Sequence, residues 1–269
     1  MDNQNLKHYI YIIKEYLKLY SKMFMKSHRL LLFNTISSIS FQILNIILIL
    51  SIYKYNKIIN GWEQFELLFL FSFVGLIVEL SSFITAGIYR LPRMYIHEGN
   101  WDMLLIYPYS PLTHLILRSL SISRILNVIS SLALMIISGF VLKLELTYMN
   151  LLVIIISIIS SVTMLVSITI FLGATAFKLK SRYSLATFIN FLLSFSKYPI
   201  TFFNMAIQVL LTYFIPVNLF IDVPMNFILG KGDEISIILM LPIISCVLAF
   251  ISIKFFNYMA KSYITSGSN

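Results

Sequence analysis

Six stretches of about 20 or more mostly apolar residues decide what this chain is able to fold into. They fall at 30–53, 66–88, 121–142, 151–177, 183–213 and 235–258. Bilayer hydrocarbon is about 30 Å thick, and a helix rising 1.5 Å per residue crosses it in about 20 residues. Of the 269 residues, 59% are hydrophobic and 12% are charged, where a soluble domain carries roughly 25% charged residues. A water-soluble fold would have to expose the surplus apolar surface, so a soluble enzyme, a disordered chain and a disulfide-stapled secreted domain are excluded. In lipid every backbone N–H and C=O must find a partner within the protein, which makes such runs helices. The expected fold is an all-α membrane protein with six transmembrane helices.

The fifth stretch is too long for one straight span and contains Pro199. Proline removes an amide donor and breaks a helix. The expectation is a helix, a break near residues 197–199, and a second half reaching Pro216. Charge then sets sidedness. With the N-terminus inside, sixteen of the 20 Lys+Arg fall on inner segments, and only Lys54, Lys57, Lys143 and Lys231 on outer loops. That bias predicts both termini in the cytoplasm, with Trp62 in the outer aromatic belt.

Ahead of the first span the pattern changes. Leu6, Tyr9, Ile10, Ile13, Leu17, Tyr20 and Phe24 recur at helical spacing, while Lys14, Lys18 and Lys22 recur on another face. An apolar stripe opposite lysines suits an amphipathic helix lying in the headgroup plane, here over 4–28. A solvated loop helix is the plainer alternative.

Polar residues line up inside the spans. Asn34, Ser38, Gln42 and Asn45 share a face of the first; Thr187, Asn190, Ser194 and Lys197 share one in the fifth, followed by Asn204, Gln208 and Thr212. Such stripes face other helices or a water-filled path, not acyl chains. Either interhelical hydrogen bonding or a substrate path fits them. Glu79 is the one acid deep within a span, and a carboxylate there needs a partner. It reads first as a structural mate of Arg124 or Lys197, and second as a substrate-contacting or proton-handling group.

Known catalytic patterns are missing. The sequence has no His-Glu-x-x-His, Cys-x-x-Cys or Gly-x-Ser-x-Gly, and no Gly-x-x-x-x-Gly-Lys-Ser/Thr phosphate loop. No bound cofactor, metal site or nucleic-acid partner is expected of this chain. One loop does stand out, residues 89–112, reading YRLPRMYIHEGNWDMLLIYPYSPL. It is too apolar for a tether, and exposed Trp, Met and Leu suit a docking surface.

Within that loop, IHEGNWDMLLIYPYSPL resembles the segment after the second span in type-2 ABC transporter permeases, in a branch first catalogued as a membrane family of unknown function. The matching positions are Ile96, Gly99, Asp102, Leu104, Leu105 and Pro108. A second match is Tyr198–Pro199 near the fifth span, followed by Ile215, Pro216 and Pro224. Trp101 stands where a smaller apolar residue is usual, and Asp222 adds a charge before Pro224. The resemblance covers nearly the whole chain and implies one ABC-2 type transmembrane domain, 1–269.

The resemblance implies a mechanism. Such permeases pair with themselves or with a sister permease, above two copies of a separate ATP-binding subunit that holds the ATP and Mg. Residues 89–112 would form the coupling element, with Glu98, Gly99, Trp101, Asp102 and Leu105 at the ATPase. The broken fifth span and its continuation (199–234) would gate the outer side through Tyr198, Pro199, Pro216 and Pro224. Asn34, Ser38, Gln42, Glu79, Asn190, Ser194, Asn204 and Gln208 would line the path or dimer seam. The resulting expectation is a multi-pass exporter subunit in a bacterial plasma membrane, in contact with membrane lipid and moving an amphipathic peptide, drug or lipid-like cargo. The alternatives are a non-transporting anchor or sensor for antimicrobial peptides and, with fewer acids and histidines than it needs, a membrane-embedded lipid enzyme.

Overall fold

The computed structural model describes residues 14–16, 18–20, 22, 28–55, 58–107, 110–145, 147–179, 185–214, 216–232 and 235–263, with backbone alone at 28–31, 189–192, 194, 213–214 and 217. Apart from one small hairpin the described elements are all helical. They are α1 (His28–Ile52), β1 (Ile58–Ile59), β2 (Trp62–Glu63), α2 (Gln64–Arg90) running into a π-helical turn (Leu91–His97), α3 (Trp101–Leu105) and α4 (Pro111–Arg118). Then come α5 (Arg124–Val141), α6 (Tyr148–Ala174), α7 (Ala176–Leu179), α8 (Ala186–Phe195), a 3₁₀ turn (Ile200–Phe202) and α9 (Met205–Val209). A second π turn (Leu210–Phe214), α10 (Val217–Phe220), α11 (Asp222–Ile228) and α12 (Ile235–Ala260) complete the chain.

Five helical stretches among the described residues are long and apolar enough to cross a bilayer: Leu32–Ile52, Gln64–His97, Arg124–Val141, Tyr148–Leu179 and Ile235–Ala260. They match five of the six runs read from the sequence. The fifth run takes another form. Its helix α8 stops at Phe195, a turn leads to the buried Pro199, and the chain resumes as the 3₁₀ turn and then α9, where the Asn204 side chain accepts a hydrogen bond from the Ile207 N–H at 3.1 Å. Proline stops the ladder and the Asn cap restarts it, so the run becomes short pieces rather than one span.

α2 is the central helix. It packs along α5 and α6, and α6 packs along α12, while α1 packs chiefly on α5 and α2 and leaves Phe33, Leu44 and Phe41 exposed. Small residues permit the close approaches. A Cβ on Gly87 would stand 2.6 Å from the Ser119 Oγ, and one on Gly173 would collide with Ile88. Without a strong hydrophobic drive between helices in lipid, backbones hold together by such close packing.

Two apolar clusters result. The larger fills the bundle around Phe73, Leu70, Ile77, Met164, Phe220 and Leu241. The smaller sits at the end where α2 turns into α3, around Ile88, Leu91, Trp101, Leu104, Leu115, Phe177 and Phe256. At the opposite end the hairpin turns through Asn60 (φ 48°) and Gly61 (φ 81°), the left-handed pair that a tight hairpin requires. Trp62 is expected in an aromatic belt but is 4% exposed: the Lys231 ammonium lies 4.3 Å from its ring centroid, and Tyr53 donates to its carbonyl at 3.0 Å. Lys231 also bridges to Glu66, so the segment after α11 is fastened to the first turn of α2.

Candidate functional site

Two places bring the sequence-expected residues together: an elbow after α2 and a polar cavity between α1, α2 and α5. The elbow begins where Pro92 enters the turn after α2. The ladder loosens to π spacing, closed by the Glu98 N–H donating to the Arg93 carbonyl at 3.1 Å. Gly99 (φ 73°) then reverses the chain, a conformation L side chains resist. α3 follows with Trp101 and Leu104 buried, and with Met103, Leu105, Ile106 and Tyr107 exposed.

The coupling candidates separate into two groups. Trp101 is fully enclosed. Its ring meets Phe177 at 4.8 Å, Phe256 at 6.0 Å and Tyr263 at 6.4 Å between centroids. It therefore anchors the elbow to α7 and to the end of α12 and presents no surface to a partner. Asp102 is half-buried beside Tyr263, with one oxygen that has no partner among the described residues. Burial first, then the Asp102 carboxylate, holds the Tyr263 phenol above its ordinary pKa. Glu98 is exposed and 3.9 Å from Arg93. The free apolar surface is formed by Leu105 together with Met94, Met103 and Ile106, residues the motif alone did not single out. Pro108 lies outside the described residues.

α4 receives the described part of the N-terminal helix. Residues 14–16, 18–20 and 22 are helical, with Lys14, Lys18 and Lys22 exposed. Tyr16 Oη lies 3.3 Å from His114 Nδ1, and Tyr20 donates to the Leu117 carbonyl at 2.9 Å. The rest of the expected 4–28 helix lies outside the described residues, apart from His28 at the start of α1.

The cavity occupies about 280 Å³ and is lined by Ser38, Phe41 and Gln42 of α1, Phe71 and Glu79 of α2, Asn127 and Ser131 of α5, and Lys197. Ser38 Oγ lies 2.7 Å from Ser130 Oγ, and Gln42 donates to Ser131 Oγ at 3.1 Å. Part of the α1 stripe is thus interhelical bonding, and part faces open space. The Glu79 carboxylate accepts from Arg124 Nη1 at 2.9 Å, the partner expected for it. Lys197 lies 5.2 Å from the Phe41 ring centroid and 5.3 Å from that of Phe71.

Other expected path and gate residues lie elsewhere. The Asn34 amide nitrogen is buried without a partner among the described residues. Asn204 caps α9, and Gln208 donates to the Phe203 carbonyl at 2.8 Å; neither lines the cavity. Asn190 and Ser194 lie in α8, their side chains outside the described set; Ile215 also lies outside it. Tyr198 and Pro216 are half-buried. Pro224 is buried inside α11. Asp222 is not a loop charge. It is 5% exposed in α11, where Ser161 of α6 donates to the neighbouring Phe220 carbonyl at 2.7 Å. No sequence signal pointed to that burial, because the residues covering α11 come from α6 and α12.

Among the described residues no cluster of three or more His, Cys, Asp or Glu is placed to hold a metal ion. Five described helices long and apolar enough to cross a bilayer, in an otherwise helical fold, define an all-α membrane protein. The match to a family model narrows this: residues 39–267 fit the ABC-2 family transporter protein model, and the chain belongs to that family. Members of it are membrane subunits that typically pair with ATP-binding subunits and typically carry no catalytic site themselves. Neither curated proteins nor solved structures yield a match.

Proposed function

We propose that this chain is the permease subunit of an ATP-driven exporter. It would cross a bacterial plasma membrane six times with both termini inside, the broken fifth run counting as the sixth crossing, and the N-terminal helix would lie in the inner headgroup plane. Two copies of a separate ATPase would bind ATP and Mg beneath a pair of such permeases. The observation that carries this reading is the elbow: four exposed apolar side chains on a turn that Trp101 fastens to α7 and α12. Exposed apolar residues on a rigid mount suit a protein partner.

The elbow supports a specific transmission route. A push from the ATPase on Met103, Leu105 and Ile106 would move α3 with Trp101, and through it α7 and the end of α12. Such a push shifts the bundle only if the docking contact differs in energy between two states. Glu98 remains a candidate for polar contact; Asp102 is better read as part of the Tyr263 mount. The positive bias of the elbow-side loops supports placing that end inside.

The test is co-purification in mild detergent with the double variant Met103→Asp, Leu105→Asp as the control. The reading expects a stoichiometric phosphate-loop ATPase with the wild-type chain and its loss with the variant, at unchanged monodispersity. A wild-type chain that purifies alone, even after cross-linking through Leu105, would overturn it.

A further inference from the structure

The cavity beside Glu79 holds one more positive charge than its acid balances, and this excess points to a ligand. Arg124 occupies the Glu79 carboxylate at 2.9 Å. Among the described residues, Lys197 has no carboxylate within 4 Å. Its ammonium rests instead between the rings of Phe41 and Phe71. Two aromatic faces replace only part of the hydration an ammonium gives up. A cation at this depth is costly unless an anion joins it.

The surroundings fit an anion's oxygens. Asn127 and Ser131 line the same cavity with groups that donate hydrogen bonds. The apolar side fits a chain. Phe41 lines the cavity and is also 53% exposed on the outward face of α1, which connects the polar interior with the helix surface that meets lipid. At about 280 Å³ the cavity takes a headgroup, not a whole long-chain molecule.

We infer that this cavity binds the anionic oxygen headgroup of an amphiphile, with the phosphate or carboxylate on Lys197 and the hydrocarbon chain leaving past Phe41 into the bilayer. Reading that ligand as cargo rests on the permease function above; binding itself does not need the ATPase, so the two readings fail separately.

The experiment is equilibrium binding by native mass spectrometry on the purified full chain. The probes are dodecyl phosphate, phosphatidylglycerol, phosphatidylcholine, dodecyltrimethylammonium and inorganic phosphate. The site expects dodecyl phosphate or phosphatidylglycerol to bind at least about tenfold more tightly than the zwitterionic and cationic probes, and Lys197→Gln to remove that preference, since one charge-assisted contact is worth about a factor of ten. Lys197→Arg retains it, and this variant keeps the test decisive if Lys197→Gln fails to fold. Preference for phosphatidylglycerol over dodecyl phosphate assigns a bilayer lipid; the reverse assigns a single-chain soluble amphiphile. Equal binding of anionic and cationic probes, or full binding by a folded Lys197→Gln, overturns the inference. Inorganic phosphate binding as tightly as dodecyl phosphate overturns its amphiphile part. Binding without stimulation of a co-purified ATPase leaves the site standing and removes the cargo reading.

Discussion

The indole of Trp101 meets the ring of Phe177 edge-on, with centroids 4.8 Å apart and planes inclined at 68°. Phe256 closes the triangle at 5.5 Å from Phe177. Two elements distant in the chain, α7 and α12, are thereby pinned to one side chain of α3. Trp101→Ala removes a fully buried ring and is expected to cost about 3–5 kcal/mol, while Trp101→Phe keeps part of the contact and costs less. Thermal unfolding in detergent ranks the three proteins. An alanine variant as stable as the wild type would show that the elbow does not depend on this ring.

Much of this architecture was legible in the sequence, for physical reasons. Lipid demands long apolar runs, so span positions show directly, and Pro199 marks the break because it can neither donate nor continue the helix. Glu79 called for a cation, and Arg124 supplies it. The failures share one cause. Trp101 looked like a docking residue, Asp222 like an exposed charge and Trp62 like a belt residue. Each is covered by side chains from helices far along the chain, and a local pattern carries no record of those neighbours.

Gly87 gives a second prediction. A methyl group there would sit 2.6 Å from the Ser119 Oγ and 2.9 Å from the Leu115 carbonyl, which is backbone and yields little. Gly87→Ala is expected to destabilise by about 1–3 kcal/mol, as overpacking does. Ser119→Gly should recover only part of it, because Leu115 remains in the way. Full recovery in the double variant would mean the hydroxyl alone set the limit.

The Glu79–Arg124 pair separates removal of a partner from removal of both. Breaking a buried pair commonly costs about 3–5 kcal/mol. Arg124 is 43% exposed against 19% for Glu79, so water screens one partner and about 1–2 kcal/mol is expected here. Arg124→Gln should cost more than Glu79→Gln with Arg124→Gln together, since the single change takes away the carboxylate's hydrogen-bonded partner and leaves only the more distant Lys197 ammonium in the cavity to face it. Unfolding midpoints of the variants test this; equal losses would place the pair in a wetter setting than its geometry indicates.

His114 supplies a pH dependence. Burial first, and then the Arg118 guanidinium, holds its imidazole below the ordinary value of 6.5. Tyr16 and Tyr107 also face it. A group whose folded-state pKa is depressed favours the fold while neutral. Its contribution is therefore full above about pH 6.5 and falls as pH drops from there through the folded-state value. The wild-type unfolding midpoint should decline over that window more than that of His114→Gln, which carries no titrating ring. The N-terminal helix leans on this residue through Tyr16, so a Tyr16→Phe variant should keep the pH slope while losing the bond to Nδ1. Parallel slopes for the wild type and His114→Gln would mean that another group governs acid stability.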